Sequence, residues 1–198
     1  MDDLEKAILI LFDESGTVDS ELKQKAKDYC DKIKEEKAIC SVCIERLCFS
    51  SLVQVQFWCL QTLHEVIRVR YSSMSLDERF LIRKSVFSIA CLGGFDDKSA
   101  GRVLEGPAFI KNKLAQVLVT LIYYEYPSIW SSVFVDFLSQ LNKGAVVIDM
   151  FCRVLNALDE EVINLDHPRT PEELSVAARI KDAMRQQCVT QIVRAWYD

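Results

Sequence analysis

Residues 111–134 read KNKLAQVLVTLIYYEYPSIWSSVF: an apolar run led by lysines, a halt at Tyr126-Pro127, and a restart at Trp130. The run from Leu114 to Tyr124 contains Gln116 and Thr120 and falls far short of the roughly 20 apolar residues that span a bilayer. Membrane insertion is therefore not expected. Proline pushes the residue before it out of the helical region, yet is itself suited to the first turn of a helix. The stretch thus predicts one helix over about 107–125, a turn at Tyr126, and a second helix over about 127–143. Trp130 is expected to bury its ring between the layers so joined.

Outward from here, apolar positions recur at intervals of three and four almost everywhere. Leu4, Ala7, Ile8, Leu11 and Phe12 share one face of a short helix closed near Ser15-Gly16, and Val18, Leu22, Ala26, Tyr29 and Ile33 make the next. Ile39, Cys43 and Leu47 follow, then a helix from Leu52 to about Tyr71. Residues Val53 to Phe57 alternate as a strand would, but Leu60, Leu63 and Ile67 restore the helical period. Further helices are expected over about 75–92, 145–163 and 171–187. Two starts are sharply marked: Ser75-Leu-Asp-Glu78 and Thr170-Pro-Glu-Glu173 are capping boxes, the second with Pro171 at the first helical position. With only 6 Gly and 4 Pro in 198 residues, the composition is short of turn formers and favours an all-α fold.

Taken in pairs, the first helices begin near residues 3, 38, 75, 127 and 171. Two-helix units of about 40 residues are the signature of HEAT and armadillo arrays, in which each unit is too small to stand alone and stacks on its neighbours. The expected architecture is an α-solenoid of about five HEAT-type helix pairs in a right-handed superhelical stack, with a plain all-α bundle as the alternative. One long connection, GGFDDKSAGRVLEGP, interrupts the spacing. The series Gln191, Ile192, Ala195, Trp196 stays helical to the last residue without a glycine or proline stop, so the chain is expected to be a piece of a longer array.

Chemistry is sparse. His64 and His167 are the only histidines, and neither lies in a pattern that would pair it with a nucleophile, so structural or surface roles are expected. The glycine spacings match no phosphate-cradling loop. Asp159-Glu160-Glu161 falls at a helix end and reads as a solvated face. Ala7 to Phe12 follow acidic residues where a signal peptide would carry positive charge. Eight cysteines without such a leader are expected to stay reduced. Cys40, Cys43 and Cys48 lack a fourth convergent ligand for zinc, and on a helix Cys40 and Cys43 pack as small apolar residues. No enzyme, metal or cofactor is expected. A net charge of −5 gives no overall nucleic-acid footprint, leaving only local basic patches for phosphate contact.

Residues 107–138, PAFIKNKLAQVLVTLIYYEYPSIWSSVFVDFL, resemble the exportin-1-like segment of the importin-β superfamily, which repeats a lysine-led helix, a proline and a tryptophan shortly after it. Residues 55–86, VQFWCLQTLHEVIRVRYSSMSLDERFLIRKSV, resemble the second and third repeats of the nuclear exportins. GAVVIDMFCRVLNALDEEV and RTPEELSVAARIKDAMRQQCVTQIVRAWYD look closest to the tRNA exportins, while the loop GGFDDKSAGRVLEGP departs from the pattern. The resemblance implies an importin-β amino-terminal-like part over about 1–90 and an exportin-1-like part over about 100–198. It implies a monomeric receptor without cofactor that binds mature tRNA and the GTP form of Ran together in the nucleus. Such a receptor passes nuclear pore proteins, and GTP hydrolysis by Ran releases the cargo in the cytoplasm.

In that family the second helices of the first repeats face Ran. Here Gln54, Trp58, Gln61, Glu65 and Arg68 share one helical face, and Lys113, Gln116, Thr120 and Tyr124 share another; both are candidate Ran-binding faces. Lys111, Arg179, Lys181 and Arg185 are the basic candidates for tRNA. A receptor of the same superfamily for protein cargo, and an unrelated helical scaffold binding peptides, stay open as alternatives.

Overall fold

The computed structural model describes residues 1–91, 101–164 and 168–197, and among them every regular element is helical. The elements are α1 (Asp3–Leu11), α2 (Ser20–Lys34), α3 (Ile39–Phe49), α4 (Val53–Arg70), α5 (Leu76–Ala90), α6 (Gly101–Leu104), α7 (Ala108–Glu125), α8 (Val133–Leu138), α9 (Ala145–Leu158), α10 (Pro171–Gln187) and α11 (Val189–Tyr197). Both capping boxes form as expected: the Ser75 and Thr170 hydroxyls accept from the backbone N–H of Glu78 and Glu173, whose carboxylates reach back. Asp2 and Asp19 cap α1 and α2. Gly16, at φ 73°, takes the left-handed conformation that turns the chain between these two helices.

Helices pair in sequence order, α1 on α2, α3 on α4, and α5 on α7. The pairs then stack: α3 packs beside α5, while α4, α7 and α9 lie side by side in a second layer. This is an all-α, HEAT-like solenoid. The apolar run raised by residues 111–134 is its central helix. Ile110, Leu114, Ala115, Val117, Leu118, Val119, Leu121 and Ile122 of α7 are all buried, because neighbours press on it from several sides. No described helix is long and apolar enough to cross a membrane.

The helix expected over 127–143 does not form as one piece. After an extended Tyr126 and a cis bond to Pro127, the chain turns back, with the N–H groups of Ile129 and Trp130 both donating to the Glu125 carbonyl. Asp136 then gathers the Trp130 indole N–H at 3.2 Å and the Ser132 hydroxyl at 2.8 Å, so helix begins only at Val133. A 3₁₀ turn, Leu141–Lys143, and Gly144 at φ 124° complete the connection to α9. Trp130 is buried as expected. Its ring meets Phe87 edge-on at 5.3 Å, Phe87 meets Phe137 at 5.0 Å, and Phe137 lies 5.3 Å from Phe151. Such aromatic pairs add about 0.5–1.5 kcal/mol each beyond their area burial, and here they tie α5, α8 and α9 together.

The last turn after α9, Asp159–Ile163, is π-helical, and α10 packs on it while α11 packs on α8. The long loop lies largely outside the described residues. Its end carries α6, whose Val103 and Leu104 are buried.

Candidate partner-binding groove

The helical period of α4 places Gln61, Glu65 and Arg68 on one face, and that of α7 does the same for Lys113, Gln116, Thr120 and Tyr124. Because α4 and α7 lie side by side, these two faces meet. Together with the π-helical turn and the start of α10 they enclose a groove of about 750 Å³. Seven of the nine positions named as Ran candidates therefore line one hollow. Trp58 is instead buried beneath the Lys34 ammonium, 5.7 Å from its ring, and the exposed Gln54 does not line the groove.

The α4 wall is set by hydrogen bonds. Gln61 donates to Glu65 at 2.6 Å and Lys34 to the other oxygen at 3.1 Å. Burial alone would raise the Glu65 carboxyl, but these two donors outweigh it and hold it below the usual range. The Tyr124 hydroxyl donates to the Arg68 carbonyl at 3.0 Å, and its ring stacks on Tyr71 at 5.3 Å. Thr120 is buried, its hydroxyl spent on the Gln116 carbonyl.

His64 was read as a structural or surface residue and is a lining residue of the groove, half-buried, with Nδ1 2.7 Å from the Lys113 ammonium. Burial, with Lys113 and Arg68 adding to it, lowers the imidazole to about 4. The ring is neutral at physiological pH and accepts from the ammonium. Burial likewise lowers Lys113. Spacing alone holds the clue to His64, since it stands three residues after Gln61 and four before Arg68.

Glu161 departs from the expected solvated face. Asp159 and Glu160 are exposed, but the π-helical turn brings Glu161 into the groove half-buried, and burial raises its carboxyl despite Gln116, Lys113 and Arg68. Arg169 fixes this turn by donating to the Glu161 carbonyl at 2.7 Å and the Glu160 carbonyl at 3.4 Å. A π-helical insertion leaves no mark in an apolar period, so Glu161 was not legible.

The basic candidates do not converge. Lys111 pairs with Asp149 at 2.7 Å, Arg185 pairs with Asp182 at 3.6 Å, and Arg179 and Lys181 stand elsewhere on α10. None lines the groove or the smaller hollow of about 340 Å³ beside it, which Asn112, Arg153 and Asn156 border. None of the eight cysteines forms a disulfide; Cys40 and Cys43 pack in the core, as their spacing on α3 led one to expect, and Cys48 is buried as well. His167 lies outside the described residues.

Residues 107–198, from the start of α7 onward, match the family model described as Exportin 1-like protein. Over its whole length the chain is 73% identical to Exportin-T of Arabidopsis thaliana, of which it covers 20%. The chain belongs to the exportin family. Over 98% of its length this exportin chain is 31% identical to Exportin-T of Homo sapiens, covering 19% of it, and over all its length 36% identical to that of Oryza sativa subsp. japonica, covering 20%. It spans about one fifth of these relatives. The exportin match contains α7, the π-helical turn and α10, whereas the α4 wall of the groove lies ahead of it.

Proposed function

We propose that this chain supplies the Ran-facing repeats of a nuclear export receptor for tRNA. The receptor binds Ran in its GTP form and mature tRNA cooperatively, shuttles between nucleus and cytoplasm past nuclear pore proteins, and releases its cargo when Ran hydrolyses GTP. The observation that carries this reading is 73% identity to Exportin-T along the entire chain, α4 wall included. The part over about 1–90 is importin-β amino-terminal-like and that over about 100–198 exportin-1-like. Cooperativity here is reciprocal coupling: each ligand stabilises the solenoid curvature that the other binds, so each raises the other's affinity by the same factor. No chemistry is asked of the chain itself.

Groove composition favours a protein over RNA at this position. Gln61, Glu65, Gln116, Tyr124 and Glu161 form a mixed polar lining, and four glutamates around it repel a run of phosphates. A protein-cargo receptor of the same superfamily fits the net charge of −5 as well. Pull-down by the full-length protein against Ran loaded with GTP or GDP tests the receptor reading, and adding tRNA separates the two cargo classes. Retention of Ran–GTP enhanced by tRNA is expected; equal retention of both nucleotide states overturns the proposal.

A further inference from the structure

Around the groove, cations are mostly committed. Lys34 meets Glu65 at 3.1 Å, Arg83 meets Glu125 at 2.7 Å, and Lys111 and Arg153 share Asp149 at 2.7 and 3.1 Å. Lys113 and Arg68 differ: among the described residues neither forms an ion pair. The Lys113 ammonium hydrogen-bonds to His64, which is neutral and supplies no counter-charge. An ammonium has three donors, so two are left. At Arg68 the carbonyl is taken by Tyr124, while the guanidinium is exposed at the groove.

Holding a half-buried cation without a paired anion costs free energy, and such a site invites an external carboxylate. Charge on the α4–α7 wall has room for one. Glu65 is paired with Lys34; Lys113 faces Glu161 and, beside it, Glu65, and Arg68 faces Glu161 and Glu173, yet none of these carboxylates comes within ion-pair distance of either cation. The opposite wall carries Glu160, exposed, and Glu173, whose carboxylate is held in the Thr170 capping box; Arg169 there turns both terminal nitrogens to backbone carbonyls, its buried Nε finding no partner among the described residues. These acids keep out a phosphate chain, but they stand across the groove from the two free cations.

We propose that Lys113 and Arg68 together receive an acidic side chain of the protein partner, inserted between α4 and α7. This rests on the groove being the Ran face and names its chemistry: an aspartate or glutamate accepting from the ammonium and the guanidinium. Charge-assisted contacts of this kind are the strong ones, and losing one partner of a desolvated pair acts mainly on dissociation.

The test is titration of full-length protein with Ran–GTP, comparing wild type with Lys113→Met and Arg68→Met, which keep the apolar stems. Each variant is expected to bind about tenfold more weakly or worse, through faster release, with an unchanged circular dichroism spectrum. Should Lys113→Met fail to fold, Arg68→Met, at an exposed position, carries the test. Wild type that does not bind Ran–GTP overturns the underlying reading. Variants that bind it as wild type does overturn the acidic contact alone. Loss of tRNA affinity without Ran, with Ran binding intact, also overturns it and makes the groove a phosphate site.

Discussion

The hydroxyl of Tyr71 donates to the carboxylate of Glu125 at 2.6 Å, across 54 positions of sequence. Arg83 holds the other oxygen at 2.7 Å, and Glu125 itself is 2% exposed. Three elements, the turn after α4, α5 and α7, are thereby clasped behind the groove. Removing one partner of a buried charged network leaves the remainder unpaired, at a cost of about 3–5 kcal/mol, whereas losing a single neutral donor costs about 1–3 kcal/mol. Arg83→Met is therefore expected to lower stability in urea more than Tyr71→Phe. Equal, negligible shifts would show that the clasp is dispensable.

Trp130 ends the aromatic chain that runs through Phe87 to Phe137, bonded to Asp136 and meeting Phe87 edge-on. Trp130→Ala should cost about 3–5 kcal/mol, as for other buried aromatic truncations, and Trp130→Phe distinctly less. The check is a thermal melt of each variant. A midpoint that hardly moves for the alanine variant would mean the ring contributes nothing to the repeat junction.

His64 makes stability depend on pH. Its imidazole is lowered to about 4 by burial and the neighbouring cations, so below about pH 6.5 the unfolded chain takes up a proton that the folded one refuses. The stabilisation is complete above about 6.5 and is lost as pH falls toward 4. His64→Gln keeps an acceptor for Lys113 without this titration. Between pH 7.5 and 4.5, wild type should lose more stability than His64→Gln; parallel curves would contradict the assignment.

Helix identity was legible wherever apolar spacing and caps agreed, as at Ser75, Thr170 and the long run of α7. It failed at 127–143, where a bond from Trp130 to Asp136, six residues on, sets the helix start and apolar spacing does not report it. The groove was half legible. Its α4 and α7 faces follow from the period of 3.6, because a polar face on a buried helix has to point at something wet. The far wall depends on a π-helical turn and on Arg169 binding backbone carbonyls, interactions that carry no residue signature. Trp58 was assigned to the polar face by spacing, yet the neighbouring helix α2 covers it with Lys34.

Lys111 offers a separate check on where RNA binds. Its ammonium is committed to Asp149 at 2.7 Å, and handing it to a phosphate would leave that carboxylate to Arg153 alone. Lys111→Ala in the full-length protein should leave both tRNA affinity and its salt dependence unchanged. A salt slope reduced by about one would instead count Lys111 as a phosphate contact.

On the proposed function, these repeats meet the protein partner and leave RNA to the rest of the receptor. A solenoid binds by wrapping, so a five-unit piece with net charge −5 should hold only part of one ligand. The most direct measurement titrates residues 1–198 with Ran–GTP and, separately, with tRNA at about 0.15 M salt, where exposed charges more than about 8 Å apart are largely screened. Weak but measurable Ran–GTP binding is predicted, diminished by joint charge reversal at Glu65 and Arg68, with almost no tRNA binding. Tight tRNA binding in the absence of Ran would refute this division of labour and move the cargo site into these repeats.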